Sequence, residues 1–580
     1  MGDQETAKRW IIEPPWQGCQ EMAARLGIAT VVAQVLHNRG LEGIEQARRF
    51  LDPQLSDLLP PETLTGVNAA ADRLAEAVRR RERIVIYGDY DVDGMTGIAI
   101  LWHCLHAAEA DCGYYVPHRI EEGYGLNDEA IERLAAEGTQ VLVTVDCGIT
   151  ACDQARRARE LGMDLIITDH HVLPEVMPEA DVIVHPQLGD YGNPHLAGSA
   201  VAMKLAWALS QRLTPGFAGR VSESFRELLL DATCLAALGT IADVVPLLGE
   251  NRALTRYGLL GLRHCRLPGI RALIEESGLS GAKLESYHVG FVLAPRLNAI
   301  GRMGHARLAV ELLTRADETR AREIALYLGQ QNRQRQSLER KLLVQAREMV
   351  VASGMDGLNR RAIVLAREGW HVGVIGIVAS RLVDAFNRPA VLIGLDGETG
   401  QGSARSVRNF AMHEGLARCK EHLISYGGHA MAAGLRIRSD AVDAFAEAFI
   451  AHANTTLTAA DLQGRVRLEG EVHLDEMTEP VVNDIKRLGP FGSLNPRPKW
   501  ATSWVELAGE PRAVGKGGDH LQLAVRQDQT VRRGIAFGLA KCQQALRDHR
   551  RCRLAFEPIL NEFNGRRSVE LQVVDFQWPT

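Results

Sequence analysis

Four short runs of β-branched and apolar residues, Ile84–Tyr87, Val141–Val145, Leu165–Thr168 and Val182–Val184, constrain this chain more than any other feature. A strand reads as uninterrupted apolar sequence when both faces of its sheet are covered. Helical patterns stand between and after these runs, at Gly97–Ala110, Asn127–Glu137, Thr150–Leu161 and Ala200–Arg212. Strand and helix in alternation predict an α/β fold, with a mostly parallel sheet wrapped on both sides. Ligands of such sheets bind at the carboxyl ends of the strands.

That edge is where the chemistry gathers. Ile84–Tyr87 runs into Gly88-Asp89-Tyr90-Asp91-Val92-Asp93-Gly94, Val141–Val145 into Asp146-Cys147-Gly148, and Leu165–Thr168 into Asp169-His170-His171. A further acid, Asp243, ends the apolar segment Cys234–Ala242. One Asp after a strand is commonly a helix cap or turn residue. Six acids and two histidines on one edge are different, because like charges repel and are costly to bury unpaired. Divalent cations remove that cost; mixed Asp/His shells suit Mn²⁺, with Mg²⁺ or Zn²⁺ as alternatives. Two ions about 3.5–4 Å apart activate a water and stabilise the leaving oxygen of a phosphodiester. Asp169 either touches metal or orients His170. Gly94 and Gly97 are expected to let backbone approach a phosphate at the start of the following helix.

The 580 residues exceed one hydrophobic core and fit three or four units. Residues 1–65 read as a helical N-terminal extension and 66–310 as the catalytic unit. A connecting helix, Glu318–Ala352, falls within 311–352. Residues 353–456 read as a smaller α/β unit with strands at Ala362–Leu365 and Ala390–Gly394. From 457 to 580 short alternating strands such as Arg465–Leu474, Leu521–Arg526 and Ser568–Val574 suit an OB-type β-barrel, a fold that commonly binds single strands. The net charge is −6, yet Asn483–Arg553 holds 14 Lys/Arg against 6 Asp/Glu, enough to track a phosphate backbone. No apolar run approaches the roughly 20 residues of a membrane span. Asp3, Glu5, Lys8 and Arg9 do not make a secretory leader, and ten cysteines without a CxxC pair indicate neither disulfide framework nor zinc ribbon. A reducing cytoplasm is expected.

The smaller α/β unit has its own candidates. Paired glycines in Gly427-Gly428-His429 allow close approach to substrate, and His429 can donate to a phosphate oxygen. Ser403 and Arg405 share a face if Ser403-Ala404-Arg405 is extended. Outside that unit, Arg119 and Arg302 are further phosphate-clamp candidates, and Phe491, Trp500, Trp504 and Phe537 are either base-stacking or core aromatics.

The four acidic segments, in order, resemble the motifs of the DHH phosphoesterase superfamily, in wording closest to its branch of single-strand-specific 5′ exonucleases. Tyr426-Gly427-Gly428-His429-Ala430-Met431-Ala432-Ala433-Gly434 is similar to the signature of the associated DHHA1 domain. Ala294–Arg302 and Gly402–Ser406 fit the same branch. The resemblance implies two Mn²⁺ or Mg²⁺ ions held by Asp91, Asp93, Asp146, His170 and Asp243. Asp89 supports or ligates, and His171 serves as acid or electrostatic stabiliser beside Asp169. It implies hydrolysis of single-stranded DNA from 5′ to 3′ into 5′-mononucleotides, for DNA repair and recombination. It further implies a groove between the DHH and DHHA1 lobes, closed by the barrel. The expected setting is a cytoplasmic, nucleoid-associated monomer off the membrane, alongside single-strand binding protein, helicase and mismatch-repair factors. Hydrolysis of small nucleotides would not need the barrel, and a non-catalytic scaffold would not need the full acidic set.

Overall fold

The computed structural model describes residues 8–118, 122–123, 125–214, 216, 220–302, 306–563 and 565–579. The chain forms two compact units, each discontinuous in sequence. One joins Trp16–Asn332 to Thr478–Pro498; the other joins the described residues before Trp16 to Arg333–Met477 and Lys499–Thr580.

The first unit is built on five parallel strands: β1 (Ile84–Gly88), β2 (Cys112–Tyr115), β3 (Val141–Val145), β4 (Asp164–Thr168) and β5 (Val182–Val184). Their order is β2-β1-β3-β4-β5, so the winding reverses between β1 and β3, where a crevice opens at the carboxyl edge. Alternate residues serve two cores. Ile84, Ile86, Val143 and Val145 pack under α1 (Val92–Ala107) and its neighbours. Val85, Tyr87, Leu142 and Leu165 pack under α2 (Asp128–Ala136) and α3 (Cys152–Glu160). This two-sided burial is why the strands read as unbroken apolar runs. Two long helices, α4 (Gly198–Leu213) and α5 (Glu223–Ala242), complete the first core, and α6 (Ala294–Arg302) follows.

The 35-residue α7 (Glu318–Ala352) gives Ala321, Ile324 and Leu328 to the first core, and Leu342, Ala346 and Val350 to a core in the second unit. There β6 (Ile363–Glu368), β7 (Ala390–Asp396), β8 (Thr399–Arg405), β9 (Leu423–Gly428) and β10 (Ala432–Arg438) form a sheet in the order β9-β10-β8-β7-β6, with α8 (Val372–Phe386) against it. Only β6 and β7 are parallel within that sheet. Beyond it β11 (Val505–Leu507), β12 (His520–Gln527), β13 (Thr530–Ala536), β14 (Arg551–Phe563) and β15 (Arg566–Gln577) close into a five-stranded barrel through the β14–β15 pairing. The N-terminal extension is not helical throughout: Arg9–Ile12 is a strand, parallel to Arg465–Leu468, and Trp10 Nε1–H donates to Asp575 at 2.7 Å. No described helix is long and apolar enough to cross a membrane, and all ten cysteines are free thiols.

Candidate metal centre

The acids meet at the β1/β3 switch point because glycines and helix ends let them. Asp91 has extended backbone and caps α1, its carboxylate accepting the N–H groups of Asp93 at 2.8 Å and Gly94 at 3.1 Å. The cap starts α1 at Val92, ahead of the expected Gly97, and sets Asp93 in its first turn. Gly94 therefore lies in the first turn of the helix and Gly97 in its second. A Cβ on Gly94 would stand 2.6 Å from the Asp89 carbonyl oxygen, and one on Gly97 2.4 Å from Val145 Cγ1. Both glycines seat α1 on the two strand ends.

Asp93 is buried and points at the start of α4, accepting N–H bonds from Gly198 at 2.6 Å and Ser199 at 3.0 Å and the Ser199 hydroxyl at 2.5 Å. A helix N-terminus favours such an anion. Asp146 follows β3 in the left-handed region, φ 62°, which aims its buried carboxylate back over the sheet edge. Asp243 caps the C-terminal end of α5. His170 Nε2 lies 3.0 Å from Asp146 Oδ1, 3.6 Å from Asp243 Oδ2 and 3.8 Å from Asp93 Oδ2. Three overlapping sets have ligand atoms within 4.8 Å of one another: Asp93, His170 and Asp243; Asp89, Asp91 and Asp146; Asp146, His170 and His171.

The electrostatics match a cation site. Burial, then the neighbouring acids, pushes Asp146 well above the usual carboxylate range and Asp243 up to about 8. Asp91 is raised by burial and by Asp93, and burial lowers His170. A neutral imidazole facing several carboxylates that protein alone cannot keep ionised is the donor set a divalent ion satisfies.

Asp169 stands apart from those sets. Its carboxylate accepts N–H bonds from Ile149 (2.9 Å), His170 (2.7 Å) and His171 (3.2 Å), and lies 2.7 Å from His171 Nδ1. The ring it orients is His171, not His170. Burial raises the Asp169 pKa, but His171 and these N–H groups outweigh it and hold it below the ordinary value. Burial likewise opposes charge on His171, yet Asp169 carries it up to about 9. Sequence reading missed His185, just after β5. Its Nδ1 accepts the Gln187 N–H at 3.1 Å, so Nε2 bears the proton and donates to the His171 carbonyl at 2.8 Å. It also missed Gly198-Ser199, although Gly-Ser before an apolar helical run is a helix-start signal.

In the second unit Ser403 and Arg405 do share a face of β8, with Arg405 Nη1 donating to the Ser403 hydroxyl at 3.1 Å. A Cβ on Gly376 would lie 2.8 Å from Ser403 Oγ and 3.1 Å from Arg405 Nη2, so the first turns of α8 rest on this pair. His429 is exposed in the β9–β10 hairpin, its N–H donating to the Ala432 carbonyl at 2.8 Å. Arg119 lies outside the described residues, as does the side chain of Arg302 at the end of α6. Trp500 is core; Trp504 and Phe537 are exposed; Phe491 belongs to the first unit, under the Arg497 guanidinium.

Family models match three stretches: the DHH family N-terminal domain at residues 83–236, the DHHA1 domain at 359–455 and the RecJ OB domain at 468–575. The chain is 37% identical to the single-stranded-DNA-specific exonuclease RecJ of Bacillus subtilis over 572 residues, covering 98% of this chain and 70% of that protein. It is 36% identical to the RecJ of Haemophilus influenzae, covering 92% and 94% respectively. Among solved structures it resembles RecJ of Thermus thermophilus in complex with Mn²⁺, with TM-score 0.84 and 33% identity over 100% of this chain and 80% of that one. The Mg²⁺ complex of the same protein gives 0.78 and 31%, over 99% and 79%.

Proposed function

The chain belongs to the RecJ family of single-stranded-DNA-specific exonucleases, and from that premise we propose that it hydrolyses single-stranded DNA from the 5′ end, releasing 5′-mononucleotides. The observation that carries the reading is the buried His170 Nε2 ringed by Asp93, Asp146 and Asp243, with Asp89 and Asp91 alongside, at the switch point of a parallel sheet.

Asp91, Asp93, Asp146, His170 and Asp243 would hold two divalent ions, with Asp89 supporting; the solved relatives are complexes with Mn²⁺ and with Mg²⁺. When bound, the ions supply the charge that activates a water and steadies the leaving oxygen. The chain's own residues do the rest. Gly198 and Ser199 fix the Asp93 carboxylate from one side. Asp169 fixes the His171 ring, which serves as acid or electrostatic stabiliser beside a phosphate oxygen. Ser403 and Arg405, under the start of α8, receive the terminal 5′ phosphate, an anion suited to a guanidinium and a helix N-terminus together. Arg119, Arg302 and His429 assist on the remaining phosphates.

All these residues come from one chain, and the enzyme acts as a monomer. It works in the cytoplasm at the nucleoid, where single-strand binding protein, helicases and mismatch-repair factors expose or hold its substrate. Matched strands labelled at the 5′ or the 3′ end test the reading in Mn²⁺. The 5′ label should leave at once as a mononucleotide while the 3′-labelled strand shortens gradually. Immediate loss of the 3′ label would reverse the polarity.

A further inference from the structure

We propose that Asn251, itself outside the ligand set, is the positioning residue that sets the spacing of the metal ligands. Its one carboxamide ties the segment before α4 to the segment after Asp243. The inference rests on the metal-centre reading above and adds to it what holds the ligands in register.

Asn251 is 1% exposed and lies in the first turn of the helix Gly249–Gly261. Its Nδ2 donates to the His195 carbonyl at 2.6 Å and to the Pro246 carbonyl at 3.1 Å, and its Oδ1 accepts from Asn193 Nδ2 at 2.9 Å. Two carbonyl acceptors on one side and a donor on the other leave the amide one orientation, and a carboxylate of the same shape could donate to neither carbonyl. The neighbouring Glu250 secures the surroundings. It pairs with Lys204 of α4 at 2.5 Å and accepts the Tyr191 hydroxyl at 2.8 Å and the Leu59 N–H at 2.9 Å.

Each carbonyl that Asn251 holds stands three residues from a working group of the centre. Beyond His195 comes Gly198, whose N–H donates to Asp93 at 2.6 Å. Between them the Leu196 carbonyl accepts a hydrogen bond from the His170 ring, the kind of partner that turns the other ring nitrogen toward a metal. Pro246 follows Asp243, and between them Val244 sits in the left-handed region at φ 62°. A β-branched residue persists there only where its neighbours hold it. The Asn251 bond to Pro246 is one hold, and the Leu247 N–H, donating to the Ser493 carbonyl at 3.0 Å, is another. Asp93, His170 and Asp243, the groups reached in this way, are together one of the sets whose ligand atoms lie within 4.8 Å of one another. Clustered carboxylates repel, so bonds from outside the cluster must keep them close, and Asn251 supplies two of these.

Calorimetric titration of Mn²⁺ into the metal-stripped full chain tests this, with kcat read separately in saturating Mn²⁺. Asn251→Leu keeps the bulk and removes both polar atoms. Its Mn²⁺ affinity should fall about 10–100-fold, as loss of ligand-orienting partners does, while kcat at saturating metal stays close to the parent's. Asn193→Ala takes away only the donor to Asn251 Oδ1; it should shift the affinity the same way by less, and it decides the matter if Asn251→Leu does not fold. Leu382→Ala, in the core of the second unit, should lower the melting temperature and leave Mn²⁺ affinity unchanged. An Asn251→Leu variant that melts earlier yet binds Mn²⁺ like the parent, or loses kcat alone, overturns the proposal and leaves the metal-centre reading intact. An equal loss of affinity in Leu382→Ala also overturns it, since stability alone would then account for the shift. A parent that binds no Mn²⁺ overturns the metal-centre reading as well.

Discussion

A Cβ on Gly239 would lie 2.1 Å from the Ser199 hydroxyl and 2.3 Å from an Asp93 carboxylate oxygen, so it is the bare backbone of α5 that leaves room for Asp93 and its donors. Gly239→Ala should therefore weaken Mn²⁺ binding and cost about 1–3 kcal/mol of stability from overpacking; titration calorimetry with a melting curve reads both. Asp146 calls for the opposite stability result. Its carboxylate is pushed up by burial and then by Asp93, Asp91, Asp89 and Asp243, so Asp146→Asn relieves repulsion while removing a ligand. Activity in saturating Mn²⁺ should fall more than about tenfold, since metal catalysis supplies several kcal/mol, and the melting temperature without metal should hold or rise. A falling melting temperature would show that Asp146 is structural. Arg405→Ala should reduce the preference for 5′-phosphate over 5′-hydroxyl strands by about 1.5–3 kcal/mol, the worth of charged hydrogen bonds. An unchanged kcat/KM ratio between the two ends would place the phosphate pocket elsewhere.

The start of α4 acts on the metal only through Asp93. Ser199→Ala removes a hydroxyl that donates to that carboxylate but leaves two backbone donors. It should raise the Mn²⁺ concentration for half-maximal activity by about 10–100-fold, as loss of ligand-orienting partners does, while kcat at saturating metal changes little. A drop in kcat alone would contradict this. Such partners are also where sequence reading runs out. β1, β3 and β4 are legible because burial on both faces makes them unbroken apolar runs, and their terminal acids follow directly. The edge strand β2, Cys-Gly-Tyr-Tyr, is short, half-buried and carries a glycine, so it lacks that signature. The start of α1 is misread because Gly94 and Gly97 look like turn residues until Asp91 is seen to cap the helix. Gly198 and Ser199 lie about a hundred positions from the acid they hold, and no local pattern reports a contact of that range.

At the scale of the whole molecule, a chain of net charge −6 must bind a polyanion, so affinity depends on where its cations are displayed. Arg512, Lys516, Arg526 and Arg533 are exposed on the barrel's strands and turns. Replacing all four by Gln should flatten the dependence of single-strand affinity on log salt by roughly 0.7 per lost phosphate contact. Filter binding across a salt series reads it, and an unchanged slope would show that these side chains face only solvent. The pairing of Arg9–Ile12 with Arg465–Leu468 bears on the timetable of synthesis. At roughly 5–20 residues per second the ribosome needs roughly 25–90 s to travel between the two strands, and the Asp575 partner of Trp10 emerges later still. Throughout that interval Arg9–Ile12 lacks the edge it joins in the folded chain, and it must be kept from pairing with the wrong one. The barrel unit thus matures last, although it holds the first described residues of the chain.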